Sequence, residues 1–162
     1  MIDALLVTVG ALAAALIGVV VIGALLPTAH TVTRSAPVGQ PPDVVWKTIR
    51  DVDGYPSWRP GVRSVKRLAD ERWQEYDGRQ LITFEVAEEH PPTLLVTRIV
   101  DDNLPFGGTW TYAVTPGPDG GSTVTVTEDG EVYNPVFRFV SRFVLGHAAT
   151  IDRYLKALAE RG

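Results

Sequence analysis

Three polar residues interrupt apolar patterns, and chemistry would begin with them. His147 sits at the centre of an apolar stripe near the C-terminus. Glu128 shares a strand face with Val124 and Val126, and Arg98 shares one with Leu94, Val96 and Val100. A charged group turned toward an apolar interior is costly unless it is paired or hydrated. Turned inward, Arg98 and Glu128 would pair across a sheet or hold the carboxylate or hydroxyl of a ligand. His147 or Glu128 would serve as general acid or base, with burial raising the pKa of the carboxyl and lowering that of the imidazole. Each residue also has a structural reading. A lone histidine on an apolar face is commonly a hydrogen-bonded core residue. Arg98 faces water if Leu95, Thr97 and Ile99 are the inner set. Glu128 lies near a strand end.

Trp58, Phe84, Trp110, Tyr112, Tyr133 and Phe143 are the candidate aromatic lining of a pocket, with plain core packing as the alternative. Small-molecule pockets combine such surfaces with a few polar groups. The loop from Asp101 to Gly108 places Leu104 and Phe106 where they would gate a cavity, meet a membrane surface or fold onto their own core.

Other chemistries lack their residues. There is no Gly-rich phosphate loop, no H-E-x-x-H and no G-x-S-x-G. His30, His90 and His147 lack metal-ligand spacing, and the chain has no cysteine, so no metal or cofactor is implied. With 15 Lys and Arg against 19 Asp and Glu, no basic stripe is available for nucleic acid.

The elements that position these residues follow from pattern. His30–Val38 is Thr-rich and β-prone. Pro41-Pro42-Asp43 opens a short helix that ends near Asp51, because Asp53-Gly54-Tyr55-Pro56 is turn chemistry. Strand-like runs follow at Val62–Leu68, Arg72–Tyr76, Arg79–Glu88, Thr93–Val100, Thr109–Thr115 and Thr123–Val132. Short turns between them, Asp77-Gly78 among them, predict an antiparallel meander. Trp110, Tyr112 and Val114 alternate with Thr109, Thr111 and Ala113, which gives the sheet one apolar and one Thr-rich face. Asn134 is a good N-cap and Pro135 a good first helical residue, and one helix is expected from there to about Glu160. Its stripe of Val136, Val140, Phe143, Val144, His147, Ile151, Tyr154 and Leu158 would lie on the apolar face of the sheet.

Ahead of this stands Ala4–Leu26, which carries no charged side chain. As a helix it is about 35 Å long, enough to cross a hydrocarbon core of about 30 Å. The competing signal-peptide reading lacks a basic n-region and would put Pro27 at the −3 position of the best cut. A buried soluble helix is the third reading. The expected division is therefore an anchor over residues 1–27 and a domain over 28–162, in a single-pass membrane protein. Arg34, Lys47 and Arg50 follow the span, and the positive-inside rule then favours a cytoplasmic domain. Gly10, Ala14 and Gly18 form a small-xxx-small ridge that would suit a homodimer through the span, or simply reflect membrane-helix composition.

Several local features carry a family resemblance. They are Pro41-Pro42-Asp43-Val44-Val45-Trp46, Asp53-Gly54-Tyr55-Pro56-Ser57-Trp58-Arg59-Pro60, Gly108-Thr109-Trp110-Thr111-Tyr112, and Glu131-Val132-Tyr133-Asn134-Pro135 entering the long helix. In this order the sequence, over residues 30 to 160, resembles the helix-grip superfamily of START domains, Bet v 1 allergens and polyketide cyclase/dehydrase-like (SRPBCC) proteins. The resemblance implies an α+β fold, a curved antiparallel β-sheet wrapped on a long C-terminal α-helix, here preceded by one N-terminal transmembrane helix. It also implies a hydrophobic cavity between sheet and helix. Members bind lipids, sterols, quinones or plant metabolites, and some catalyse polyketide cyclisation, so the fold does not fix the function. The expected function is binding or transfer of a hydrophobic small molecule (lipid, quinone or isoprenoid-like) by a membrane-anchored domain. The alternatives are a cyclase/dehydratase-type enzyme and a protein-interaction module without ligand.

Overall fold

Alternation and turn chemistry build a sheet first. The computed structural model describes residues 2–146 and 148–161, without the side chains of 2–5 and 145. Helix α1 (Ile2–Leu25) leads into strand β1 (Ala29–Val38), helix α2 (Pro42–Arg50) and a 3-10 turn (Val52–Ser57). Six strands follow: β2 (Ser64–Ala69), β3 (Arg72–Tyr76), β4 (Leu81–His90), β5 (Leu94–Ile99), β6 (Phe106–Pro116) and β7 (Ser122–Val132). The chain closes with α3 (Pro135–Val140), a π-helical turn (Ser141–Leu145) and α4 (Ala148–Ala159).

The sheet has seven strands in the order β1-β7-β6-β5-β4-β3-β2, and every pairing is antiparallel. Strands β2 to β7 form the meander that the short turns predict, and β1 returns to pair with β7. Pairing slips between Arg67 and Ala69 on β2 and between Val86 and Glu88 on β4, the kind of bulge that bends and twists a sheet. This is the α+β helix-grip architecture.

The core lies between the concave face and two helices. Val45 and Ile49 of α2, and Ile151, Leu155 and Leu158 of α4, are buried against Leu95, Tyr112, Val114, Val124 and Val126. A second cluster joins Val52 and Tyr55 to Trp73. The Tyr55 hydroxyl donates to the Ile49 carbonyl at 2.5 Å, which fixes the 3-10 turn under α2.

The C-terminal helix is not continuous. Asn134 caps it as its type predicts, accepting from the amides of Val136 and Phe137 at 2.9 and 3.2 Å. After the six residues of α3 the helix widens to a π-turn, and at Gly146 (φ 71°, ψ 132°) it breaks. That conformation suits only glycine, so the chain changes direction there. Of the two C-terminal helices, α4 covers the sheet core beside α2, and α3 does not. Val136, Phe143 and Val144, assigned by periodicity to the inner stripe, are exposed, as is Phe137 beside them.

α1 contains a stretch, Leu6–Leu25, long and apolar enough to cross a membrane. Its last turns pack against α3. Gly23 is buried there, and a side chain in its place would collide with the backbone carbonyl of Pro135. Arg138 Nη1 donates to the Leu26 carbonyl at 2.9 Å across the same junction.

Candidate functional site

The sheet and the C-terminal helices do not close completely. A cavity of about 420 Å³ is left between β3–β7 on one side and α3, the π-turn and the start of α4 on the other. Ile82 and Phe84 of β4, Ile99 of β5 and Trp110 of β6 supply its apolar walls, with Phe106 and Phe137 nearer the outside. Its volume falls within the range of small-molecule pockets.

Two polar constellations face this space. The first is Arg59, just after the 3-10 turn, with Glu75 of β3. Arg59 Nη1 meets Glu75 Oε1 at 2.8 Å, and both side chains are nearly excluded from water (13% and 7% exposed). Trp73 Nε1 donates to the same carboxylate oxygen at 2.9 Å. The guanidinium also lies 4.8, 5.6 and 5.8 Å from the ring centres of Tyr55, Tyr154 and Trp110. Aromatic faces carry negative charge density and attract a cation. Burial alone would lower the pKa of Arg59, but the Glu75 carboxylate and the surrounding Tyr112, Tyr55 and Tyr154 together outweigh it and drive it up, so the cation is permanent. The phenols of Tyr55, Tyr112 and Tyr154 are all raised by burial, that of Tyr112 to about 12, so the aromatic cage is neutral.

The second constellation is His30 with Glu128. Strand β1 pairs with β7 so that His30 lies opposite Gly130 and Val32 opposite Glu128. The His30 Nε2 and Glu128 Oε1 atoms stand 3.7 Å apart. Gly130 leaves the room for this, since a side chain there would overlap the His30 ring. Burial raises the Glu128 carboxyl above its ordinary value, against a hydrogen bond from the Trp110 side chain that lowers it. A carboxyl so placed beside an imidazole can hold or pass a proton.

The structure distributes the residues singled out in the sequence unevenly. Phe84, Trp110 and Glu128 line the cavity. Tyr112 is buried in the core beside it, its ring 6.0 Å from Trp110 and 5.5 Å from Tyr154. Trp58 packs on Tyr55 and Tyr154 at 5.7 and 5.4 Å and faces a separate surface cleft with Arg161. Arg98 points away from the cavity. The inner set of β5 is Leu95, Thr97 and Ile99, and Arg98 binds Glu85 on the outer face, with Nε donating at 2.6 Å. The expected Arg98–Glu128 pair therefore does not form; Glu85 and His30 are their partners. Tyr133 is half exposed and donates to Glu131 at 2.8 Å, and Phe143 is exposed against Phe139 with ring centres 5.0 Å apart. Neither lines the cavity. His147 lies outside the described residues. Phe106, expected in a loop, begins β6 and lines the cavity.

Arg59, Glu75 and His30 are the polar residues that pattern reading missed. Alternation along β3 puts Trp73 and Glu75 on one face, and that was the available signal. Arg59 sits in a turn, where no periodicity assigns a direction. His30 meets Glu128 only through the β1–β7 register.

Comparison with known proteins settles the family. The model for polyketide cyclase / dehydrase and lipid transport proteins matches residues 29–161, the whole of the sheet and its helices. The chain belongs to this family. Solved structures show the same fold at low identity. A START superfamily protein from Mycobacterium smegmatis is 18% identical, with a TM-score of 0.67 over 82% of this chain and 96% of its own. A conserved protein from Geobacillus kaustophilus gives 0.70 at 17% identity over 82% and 94%. The Zhui aromatase/cyclase from Streptomyces sp. R1128 gives 0.64 at 15% identity over 82% and 93%. No curated protein shows significant sequence similarity to the chain. The family match begins at Ala29, so α1 precedes the part shared with it.

Proposed function

We propose that this family member is a membrane-anchored protein that binds or transfers a hydrophobic small molecule of lipid, quinone or isoprenoid type. The observation that carries the reading is the cavity itself: open, walled by Ile82, Phe84, Ile99 and Trp110, and supplied with a few polar groups along one side. Apolar walls give affinity without selectivity, at about 25 cal/mol per Å² buried. The Arg59–Glu75 and His30–Glu128 groups would orient a polar end. Arg59 is already neutralised by Glu75, so the polar end that fits is a hydroxyl, carbonyl or ester, with a free acid the poorer match.

The apolar helix ahead of the domain supports the same reading. A water-insoluble ligand partitions into the bilayer, and a domain held at that surface meets it at high effective concentration. Residues 1–27 are the anchor and 28–162 the binding domain in this proposal, with the domain on the cytoplasmic side. Solvent extraction of the purified full-length chain, followed by mass spectrometry, tests it. A single hydrophobic species near one per chain is the expected result. Only bulk membrane lipid, in no fixed ratio, would count against the carrier reading.

The His30–Glu128 contact favours a second reading, an enzyme of the cyclase or dehydratase type. Glu128, kept protonated more readily than an ordinary carboxyl, would donate a proton while His30 accepts one. Glu128→Gln and His30→Ala separate the readings once a ligand is known. A carrier keeps most of its affinity in both variants, because the apolar walls supply it, whereas an enzyme loses turnover about a hundredfold or more with binding intact.

A further inference from the structure

We propose that residues 135–144, which comprise α3 and most of the π-turn, lie in the bilayer surface beside α1, so that the cavity opens toward lipid. This rests on α1 being a membrane span, and it explains an arrangement that the span alone does not require.

Val136, Phe137, Phe143 and Val144 are 38%, 51%, 59% and 69% exposed, within one short segment. Phe139 packs on Phe143 and extends the same apolar surface. A soluble surface seldom gathers so many large apolar side chains without something to cover them. No part of the described chain does so.

Depth identifies the cover. α3 packs on the end of α1 through the contact of Gly23 with the Pro135 backbone. Gly23 lies two residues inside the end of the apolar stretch Leu6–Leu25. At 1.5 Å of rise per residue that is about 3 Å inside the hydrocarbon edge. A helix that touches the span at this level lies at the boundary between acyl chains and headgroups. Interfacial helices there expose apolar side chains on one side and basic ones on the other. Arg142 is exposed on this segment, where its guanidinium would reach lipid phosphate. Arg138 is already tied to the Leu26 carbonyl, which joins the segment to the span.

The same segment is the rim of the cavity. Phe137 and Ser141 line it on this side, followed by Gly146 and Thr150. A molecule leaving the bilayer would therefore enter along the segment without crossing water.

The chain has no cysteine, so single-cysteine variants label at one position. Full-length Phe143→Cys and Val144→Cys would each carry an environment-sensitive NBD group in phosphatidylcholine/phosphatidylglycerol vesicles. Leu16→Cys reports the span, and Lys66→Cys, exposed on β2, reports the aqueous side. Doxyl-labelled lipid should quench the probes at 143, 144 and 16 at least twofold and leave position 66 unchanged. Quenching at 16 without quenching at 143 and 144 would overturn the docking and leave the span standing. No quenching at 16 would remove both. A blue shift at 143 that doxyl lipid does not quench would mean that a second copy of the chain covers the patch, and would also overturn the proposal.

Discussion

Arg59 shows how a single side chain ties fold and site together. Its cation is held by Glu75 and by three aromatic rings. Removing one partner of a buried ion pair leaves the other uncompensated, at a cost of about 3–5 kcal/mol. Glu75→Gln should therefore lower unfolding stability by that order in urea titration. The double variant Arg59→Met, Glu75→Leu should lose less than Glu75→Gln alone, because no charge is left stranded. A double variant as unstable as Glu75→Gln would mean that the pair is not what holds this wall. Glu128 gives the opposite signature. Its folded pKa is raised by burial, so between the ordinary value of 4.5 and the raised one the folded state binds more protons than the unfolded state. Stability should fall as pH rises through that window and level off above it. Glu128→Gln should abolish this part of the slope in denaturation curves taken between pH 4 and 7. An unchanged slope would place Glu128 in water.

At the scale of elements, the two helices around Gly146 are the informative case. Gly146 has φ 71° and ψ 132°, a conformation that costs other residues about 1–3 kcal/mol. Gly146→Val should lower the thermal midpoint measurably, and a midpoint equal to that of the wild type would mean that the break is not fixed by this residue. This break was the main feature illegible in the sequence. The 3.6-residue stripe from Val136 to Leu158 runs on through Gly146, and periodicity reports an apolar face without saying what covers it. Ile151, Tyr154 and Leu158 meet the sheet, while Val136, Phe143 and Val144 do not. The strands were far more legible. Arg72–Tyr76 and its hairpin at Asp77-Gly78 lie where turn chemistry and alternation put them, because a period of two and a positive-φ glycine are local signals. Phe84, Trp110 and Glu128 reached the cavity through the same alternation. Arg98 did not, since Leu94 to Val100 is apolar on both faces and alternation there fits two registers. His30 and Glu128 are 98 residues apart and meet only once β1 has paired with β7. Gly23 is legible only in three dimensions, and Gly23→Leu should separate α1 from α3 and speed amide exchange over residues 136–140.

For the whole molecule, an apolar helix, an exposed apolar segment at its end and a cavity bordered by that segment stand side by side. Each has its own physical reason, and in the proposed function together they form a route from bilayer to binding site. The central claim is that the cavity is occupied by one hydrophobic molecule. Native mass spectrometry of the detergent-solubilised full-length chain tests it most directly, with wild type measured beside Ile99→Trp, which fills the cavity from β5. The wild type should carry one bound hydrophobic molecule, and the folded variant should lose it. An empty wild type, or a variant that retains the same molecule in the same proportion, would contradict the account.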